Sequence, residues 1–239
     1  DKALHAVQKA LTRSSPQVSR EELVVLQSEL NLLRHELSIA LKRGQLKDGA
    51  SVKESLEERA VSQLGQEIWV LEQTEYKRKG FFVEFGATDG LFLSNTYLLE
   101  KEYGWSGLLA EPNPNFMEDL KKNRSCQIYD DCISDHTGET VEFILADVFG
   151  GMSEHMNEDA HAEKRAAYKA TEGNVIELPT ISLDEFLEKA NAPKDIDYIS
   201  VDTEGSEYKI LSTFPFEKWN VRLWTIEHNH TPMRDKIFQ

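Results

Sequence analysis

The chain has 239 residues, of which 40% are hydrophobic and 29% charged, a composition typical of a globular protein with one sizeable core. Its formal net charge of −15 argues against a nucleic-acid partner, because binding a phosphate backbone requires clustered Lys and Arg. No apolar run approaches the roughly 20 residues of a membrane span, and two cysteines are too few for a disulfide framework, so we expect a cytoplasmic protein.

The first 60 residues have the pattern of helices. Leucines recur at alternating steps of three and four between Leu23 and Leu37, a heptad seam of about two and a half repeats. Two interpretations remain open: a helical hairpin packed on the main domain, or a coiled-coil helix that pairs with a second copy, a partner or a fused enzyme. We therefore divide the chain into an N-terminal helical segment, 1–60, and a main domain, 61–239.

In the main domain, strand patterns alternate with helix patterns. The predicted strands are Phe81–Phe85, Gly107–Glu111, one strand within Cys126–Ile133, Thr140–Leu145, Val175–Ile181, Asp197–Val201 and Val221–Glu227. The predicted helices are one containing Ile68 to Tyr76, then Ser94–Tyr103, Asn115–Lys122, Ser182–Lys189 and Glu207–Thr213, with another beginning near Thr231. Ser94 is the expected N-cap of its helix, and Ser182 with Glu185 has the spacing of a capping box. The alternation predicts an α/β fold, a parallel sheet with helices on both faces.

Acidic residues follow most of the predicted strands. Sheets of this kind bind ligands beyond the carboxyl ends of their strands, where these side chains would meet. The residues in question are Glu84, Glu111, Asp130, Asp131, Asp202, Glu204 and Glu227, the last followed by His228 and Asn229. Crowded like charges raise the free energy of the fold unless something binds them, so the pattern predicts a ligand site at this edge.

The turn in FFVEFGATDGLF, residues 81–92, indicates which ligand. Gly86 and Gly90 allow a tight turn and a close approach to a ligand. Glu111 lies 25 residues beyond Gly86, roughly the offset at which a carboxylate meets a ribose in dinucleotide folds. The pattern lacks the third glycine of a dinucleotide motif, however, and Asp89 would repel a diphosphate. A cationic adenosine ligand without phosphates, such as S-adenosylmethionine, fits better.

Five segments together resemble the FkbM-type family of S-adenosylmethionine-dependent methyltransferases, within the class I methyltransferase superfamily. They are FFVEFGATDGLFLSNTYLLE, LLAEPNP, TISLDEF, DYISVDTEGSEYKIL and LWTIEHN. The resemblance covers residues 62–235 and implies a Rossmann-like sheet and O-methylation of a hydroxyl on a sugar, glycan or related natural product. A class I sheet ends in an antiparallel hairpin that this sequence does not reach, so we expect the hairpin to be missing here.

The resemblance also implies which residues bind the cofactor. Its methionine end would be lined by Glu84, Gly86, Thr88, Asp89 and Gly90. Its carboxylate would be held by Ser94 and Asn95, and its ribose by Glu111. Its adenine would be bordered by Pro112, Asn113 and one or more of Asp131, Cys132 and Ile133. Asp202 is counted with this set as well as with the catalytic residues.

Activation of the acceptor hydroxyl has two open mechanisms. A sugar hydroxyl is a poor nucleophile, so methyl transfer requires a base or a metal ion. In the first mechanism His228 is the general base, oriented by Glu204 or Asp202. In the second, Asp202 and Glu227, with His228 or Asn229, hold Mg²⁺ or a similar hard cation that acidifies the hydroxyl.

Two functions of other classes compete with this interpretation. One is a non-catalytic Rossmann-like module that binds the cofactor and recruits a partner through the N-terminal helices. The acids at Asp202 and Glu227 argue against it, because cofactor binding alone does not require them. The other is a nucleotide-linked oxidoreductase, and the missing third glycine together with Asp89 argues against that.

Overall fold

The computed structural model describes residues 56–146, 150–153, 162–228 and 233–237. The helices are α1 (Leu56–Arg59), α2 (Gln66–Gln73), α3 (Tyr97–Tyr103), α4 (Met117–Asn123), α5 (Ala162–Lys169), α6 (Leu183–Lys189), α7 (Glu207–Ser212) and α8 (Met233–Ile237). The strands are β1 (Phe81–Phe85), β2 (Ser106–Ala110), β3 (Gln127–Tyr129), β4 (Cys132–Ser134), β5 (Thr140–Ile144), β6 (Gly151–Met152), β7 (Val175–Ser182), β8 (Asp195–Val201) and β9 (Asn220–Ile226). The predicted heptad seam lies outside the described residues.

Five of these strands form a parallel sheet in the order β3-β2-β1-β8-β9. The chain builds outward from β1 to β3, returns, and builds outward again on the other side from β8 to β9. The strand order therefore reverses between β1 and β8, which is where open sheets of this type have a crevice for ligands at their carboxyl ends. We call this carboxyl-end edge of the five-stranded sheet the sheet rim.

Both faces of the main sheet are covered, as predicted. Alternate side chains of β1 face opposite ways: Phe82 packs in a core with residues of α2, α3 and α4, and Val83 packs in a core with residues of α6 and α7. Because β1 is buried on both faces, its sequence is apolar except for Glu84. The α/β class and the parallel sheet with two helix layers are confirmed.

The expectation that every strand joins one parallel sheet is wrong. β4, β5, β6 and β7 form a second, mixed sheet in the order β4-β7-β5-β6, with its own small core around Phe143 and Met152. The single strand predicted within Cys126–Ile133 is in fact two strands, since β3 joins the main sheet and β4 the second. The break at 130–131 leaves Asp131 facing Lys189 of α6, whose Nζ lies 2.7 Å from both carboxylate oxygens.

The two predicted helix caps have different outcomes. Ser94 is not the N-cap of α3, which begins at Tyr97 after Thr96; its hydroxyl accepts from the N–H of Thr96 at 3.3 Å and donates to Glu84. The capping box at α6 is half formed. Ser182 Oγ accepts from the N–H of Glu185 at 3.3 Å, but the N–H of Ser182 donates to a threonine side chain.

None of the helices in the described part of the chain is long and apolar enough to cross a membrane.

Candidate active site

The turn after β1, residues 86–90, which we call the glycine turn, packs against the protein itself. Gly86 and Gly90 both have positive φ, 71° and 76°. A Cβ atom on Gly86 would lie 2.1 Å from the carbonyl oxygen of Asp202, and one on Gly90 would lie 2.5 Å from Cγ of Arg124. The tight turn is confirmed. The close approach that requires glycine is made to the end of β8 and to Arg124, whereas the sequence predicted an approach to a ligand.

Glu84 is the buried acid of β1, and the start of α3 holds both of its carboxylate oxygens. Oε1 accepts from the N–H of Asn95 at 2.6 Å. Oε2 accepts from the hydroxyls of Ser94 at 3.0 Å and Thr96 at 2.5 Å, and it lies 3.5 Å from Nη1 of Arg124. Glu84 thus joins the end of β1 to two residues that the sequence assigned to the cofactor.

Asp89 closes the glycine turn. Its Oδ1 accepts from the N–H groups of Leu91 at 2.9 Å and Phe92 at 2.7 Å, the pattern of an Asx turn. The main-chain carbonyl of Asp89 accepts from the amide of Asn123, at the end of α4, at 2.9 Å. The acid that argued against a diphosphate therefore shapes the turn.

Glu111 lies directly after β2 and is buried against the glycine turn. Its two oxygens accept from the N–H groups of Thr88 at 2.8 Å and Asn113 at 2.9 Å. Burial raises the pKa of Glu111 to about 7, and the nearby Asp202 adds to the rise, although the two N–H donors oppose it. The carboxyl group can therefore gain or lose its proton near neutral pH.

Two buried asparagines near the rim have polar atoms without a hydrogen-bond partner. Asn95 donates from Nδ2 to Ser200 Oγ at 2.9 Å, which leaves its Oδ1 unpaired. Asn113 accepts at Oδ1 from the N–H of Asn115 at 3.0 Å, which leaves its Nδ2 unpaired. Both residues are at most 6% exposed. Since buried polar groups are normally satisfied, one acceptor and one donor are available here to a ligand or an ordered water.

Three carboxylates meet after β8 and β9, and we call Asp202, Glu204 and Glu227 the acidic cluster. One oxygen from each lies within 4.8 Å of the others. The pairing of the two strands continues past β9, where the N–H of Glu227 donates to the carbonyl of Val201 at 2.9 Å, and this brings the acids together. Glu227 Oε2 is buried without a partner.

The electrostatics of the acidic cluster favour a proton or a cation. Desolvation raises the pKa of Asp202 above its usual range. Desolvation and then the charges of Asp202 and Glu204 raise the pKa of Glu227 well above its own. Both shifts favour a shared proton or a bound cation at this pair.

Glu207, which the sequence reasoning missed, supports the loop that carries this cluster. One of its oxygens accepts from the N–H groups of Thr203 at 2.9 Å and Gly205 at 3.0 Å. These bonds hold Glu204 in a left-handed conformation, with φ of 58°. The signal was present in the motif DTEGSE, where an acid five residues after Asp202 opens a helix and can reach back over the loop.

The remaining predicted site residues differ in their position relative to the acidic cluster and the glycine turn. His228 directly follows Glu227 and is half-buried, whereas Asn229 is outside the described residues. Asp131 is paired with a lysine, as described above. The side chain of Cys132 lies in the core of the second sheet, where burial raises the pKa of its thiol to about 12. Pro112 is half-buried next to Glu111.

The comparison with protein families decides the assignment. The family described as the Methyltransferase FkbM domain matches residues 84–238, well over half of the chain. The chain belongs to the FkbM methyltransferase family. Its FkbM domain is therefore that of a methyltransferase, and the family implies S-adenosylmethionine in general as the methyl donor. Searches of the curated proteins and of the solved structures found no match.

Proposed function

We propose that this FkbM domain is an S-adenosylmethionine-dependent O-methyltransferase that acts on a hydroxyl of a sugar, a glycan or a related natural product. The observation that carries the proposal is the pair of unpartnered amide atoms on Asn95 and Asn113, together with the titratable Glu111 beside the glycine turn. All three had been assigned to the cofactor from the sequence.

The chemistry of these groups fits the cofactor. The sequence assigned Asn95 to the carboxylate of the cofactor, but its unpartnered atom is Oδ1, an acceptor, which suits the ammonium of the methionine end instead. Ser94 and Glu84 fix the backbone around it. Glu111 suits the ribose hydroxyls, which donate hydrogen bonds. Asn113 Nδ2 is a donor and suits an adenine nitrogen or a ribose oxygen. When bound, the cofactor supplies an electrophilic methyl group on a sulfonium ion.

We propose that the acidic cluster promotes loss of the proton from the acceptor hydroxyl. Three carboxylates with one unpartnered buried oxygen are a donor set that fits Mg²⁺, which prefers oxygen ligands. A cation held by Asp202, Glu204 and Glu227 would acidify a nearby hydroxyl and neutralise the cluster. The sequence predicted His228 or Asn229 beside Asp202 and Glu227; among the described residues Glu204 joins these two acids, and Asn229 lies outside that part of the chain. The alternative is that His228 is the general base, oriented by Asp202 or Glu204.

The acceptor class rests on the family resemblance and on the polar rim. Carboxylates and amides form hydrogen bonds with polyols, and the net charge of −15 disfavours a nucleic-acid acceptor. We further propose that the enzyme works in the cytoplasm and that its N-terminal helices join it to a second copy, a partner or a fused enzyme.

Calorimetric titration with S-adenosylhomocysteine, the product of the cofactor, tests the first part of the proposal. We expect a dissociation constant on the order of micromolar, typical of a cofactor site, and no binding of NAD. An Asn113→Asp variant, which turns the unpartnered donor into an acceptor, should weaken binding. A folded chain that binds NAD, or that does not bind S-adenosylhomocysteine, would contradict the assignment.

An acceptor panel with labelled S-adenosylmethionine tests the second part. Once an accepted sugar is found, His228→Ala should abolish turnover with cofactor binding intact if histidine is the base. If a cation activates the hydroxyl, EDTA should abolish turnover and Mg²⁺ should restore it. A chain that binds the cofactor but methylates nothing across the panel would favour the non-catalytic alternative.

A further inference from the structure

Arg124 is a fully buried arginine that the sequence did not single out. It follows α4 and sits after two exposed lysines, so in the sequence it looks like one more solvated basic residue. In the structure its side chain is 0% exposed. A buried guanidinium is costly unless most of its donors are paired, so its partners indicate why it is there.

The donors of Arg124 reach three separate parts of the cofactor region. Nε donates to Glu100 in α3 at 2.6 Å. Nη1 donates to the carbonyl of Gly90 at 3.2 Å and to Ser94 Oγ at 2.9 Å. Nη2 donates to Thr96 Oγ1 at 2.8 Å. One side chain therefore ties the glycine turn to the start of α3.

The hydroxyls of Ser94 and Thr96 pass this connection on to β1. Each accepts from Arg124 and donates its own proton to Glu84 Oε2. The peptide between them belongs to Asn95, whose N–H donates to the other oxygen of Glu84. The position of Asn95 is thus determined by a closed network of Arg124, two hydroxyls and Glu84.

The network also explains Gly90. A Cβ atom there would meet Cγ of Arg124 at 2.5 Å and a methyl group of Leu120 at 2.6 Å. Arg124 consequently packs on the turn as well as bonding to it. A lysine could replace the charge but not this geometry, because an ammonium cannot direct planar donors toward three elements at once.

We propose that Arg124 is the positioning residue for the methionine end of the cofactor, acting through Thr96 and Ser94 to hold Asn95 and the glycine turn in their binding geometry. The inference rests on the proposed function, since it assumes that Asn95 meets the cofactor. Because the side chain of Arg124 is 0% exposed, it acts on the cofactor site through its hydrogen-bond partners. Arg124 affects the affinity for the cofactor by orienting the two hydroxyls. Removing the hydroxyl of Thr96 therefore tests the proposal most directly.

The test compares Thr96→Val with Thr96→Ser by calorimetric titration with S-adenosylhomocysteine. Valine keeps the shape and removes the hydroxyl, whereas serine keeps the hydroxyl. Loss of a buried hydrogen bond should weaken binding by about fivefold or more in Thr96→Val, while Thr96→Ser stays within about twofold of the wild type. Equal affinities for the two variants would overturn the proposal.

Two further variants distinguish a positioning role of Arg124 from a general loss of stability of the fold. Asp184→Ala removes the partner of Lys218 and Trp219 on the opposite face of the sheet and should lower Tm without changing affinity. If it weakens binding as much as Thr96→Val does, the proposal is wrong. Arg124→Lys combined with Thr96→Val should cost less affinity than the sum of the two single changes, because both break one network, and strict additivity would contradict this.

The wild type distinguishes failure of this inference from failure of the proposed function. If the wild type binds S-adenosylhomocysteine and Thr96→Val binds it equally well, only the role of Arg124 is overturned. No binding by the folded wild type overturns the cofactor assignment, and the positioning role with it.

Discussion

The glycine turn and the acidic cluster lie side by side on the sheet rim, and both are rich in carboxylates, but the carboxylates are compensated differently. Around the turn, Glu84 and Glu111 each accept hydrogen bonds at both oxygens, and Glu84 has a buried arginine beside it. In the cluster, Glu227 keeps a buried oxygen without a partner, and the charges of Asp202 and Glu204 raise its pKa. The carboxylates of the first group find hydrogen-bond donors for both oxygens within the protein, whereas the second group leaves one buried oxygen for a proton or a cation.

The largest expected effect comes from breaking the contact between the two regions. Gly86→Ala places a methyl group against the carbonyl oxygen of Asp202 in a conformation that disfavours alanine. Strain and overpacking together should lower the free energy of unfolding by about 3 kcal/mol and abolish binding of S-adenosylhomocysteine. Urea denaturation and calorimetric titration measure the two effects.

Gly104→Ala is the matched control for this substitution. Gly104 has a similar φ of 68°, but a Cβ atom there would meet nothing within 4 Å. Only the backbone cost of about 1 kcal/mol should appear, with affinity unchanged. If both variants behave alike, the contact between Gly86 and Asp202 is not what holds the two regions together.

The second prediction tests whether the cluster attracts a cation. Mg²⁺ should raise the Tm of the wild type, because it binds the folded chain at three crowded carboxylates. Glu227→Gln removes one charge and one ligand, so the rise in Tm should disappear, and the variant without Mg²⁺ should be at least as stable as the wild type. Thermal unfolding with and without 5 to 10 mM Mg²⁺, roughly the range for weak carboxylate sites, measures this.

A control for nonspecific charge effects is Glu72→Gln on the exposed side of α2. It carries the same change in net charge and should leave the response to Mg²⁺ intact. An unchanged Mg²⁺ response in Glu227→Gln would show that the cation binds elsewhere or not at all.

The third prediction concerns stability and uses a buried acid away from the cluster. Glu67 in α2 is 0% exposed and accepts from the N–H groups of Leu98 at 2.6 Å and Val61 at 2.8 Å. Burial raises its pKa from 4.5 to about 7. The folded chain therefore binds more protons than the unfolded chain between these values, and the free energy of unfolding should fall as pH rises through that window.

Urea denaturation between pH 5 and pH 8 measures this slope. The decrease due to Glu67 should be on the order of 2 to 3 kcal/mol, and Glu111 should add a similar amount in the same direction. Glu67→Gln should remove about half of this slope, and Glu72→Gln should leave it unchanged. A free energy of unfolding that rises steadily from pH 5 to pH 8 would contradict the raised pKa values.

The smallest expected effect is a pH dependence of cofactor binding that is specific to Glu111 among the acids of the rim. Ribose hydroxyls donate most strongly to an ionised carboxylate, and burial keeps the pKa of Glu111 at about 7 without ligand. The affinity for S-adenosylhomocysteine should therefore rise by up to about tenfold between pH 6 and pH 8, with release of a proton. In Glu111→Gln this pH dependence should vanish, and a slope that survives would assign the titration to another group.

The alternation of strands and helices in the sequence was enough to predict the α/β class and the elements of the main sheet. Parallel strands that are buried on both faces are mostly apolar, so β1 and β8 can be recognised from the sequence alone. The carboxyl ends of parallel strands share an edge, so the acids that follow them could be placed on one rim. The glycine turn and Glu111 were recognisable because the first directly follows β1 and the second directly follows β2.

What only the tertiary structure decided depends on contacts between residues far apart in the chain. The second sheet arises because β4 to β7 pair with one another, and a period of two in the sequence does not say which strand pairs with which. From the sequence Arg124 resembles a surface residue, and only its packing against Gly90 shows that it is buried. The hydrogen-bond partners of Glu84 likewise depend on how the segment before α3 packs against β1. Local pattern determines elements and the edge to which their ends belong, whereas burial and the pairing of charges are set by the packing of distant segments.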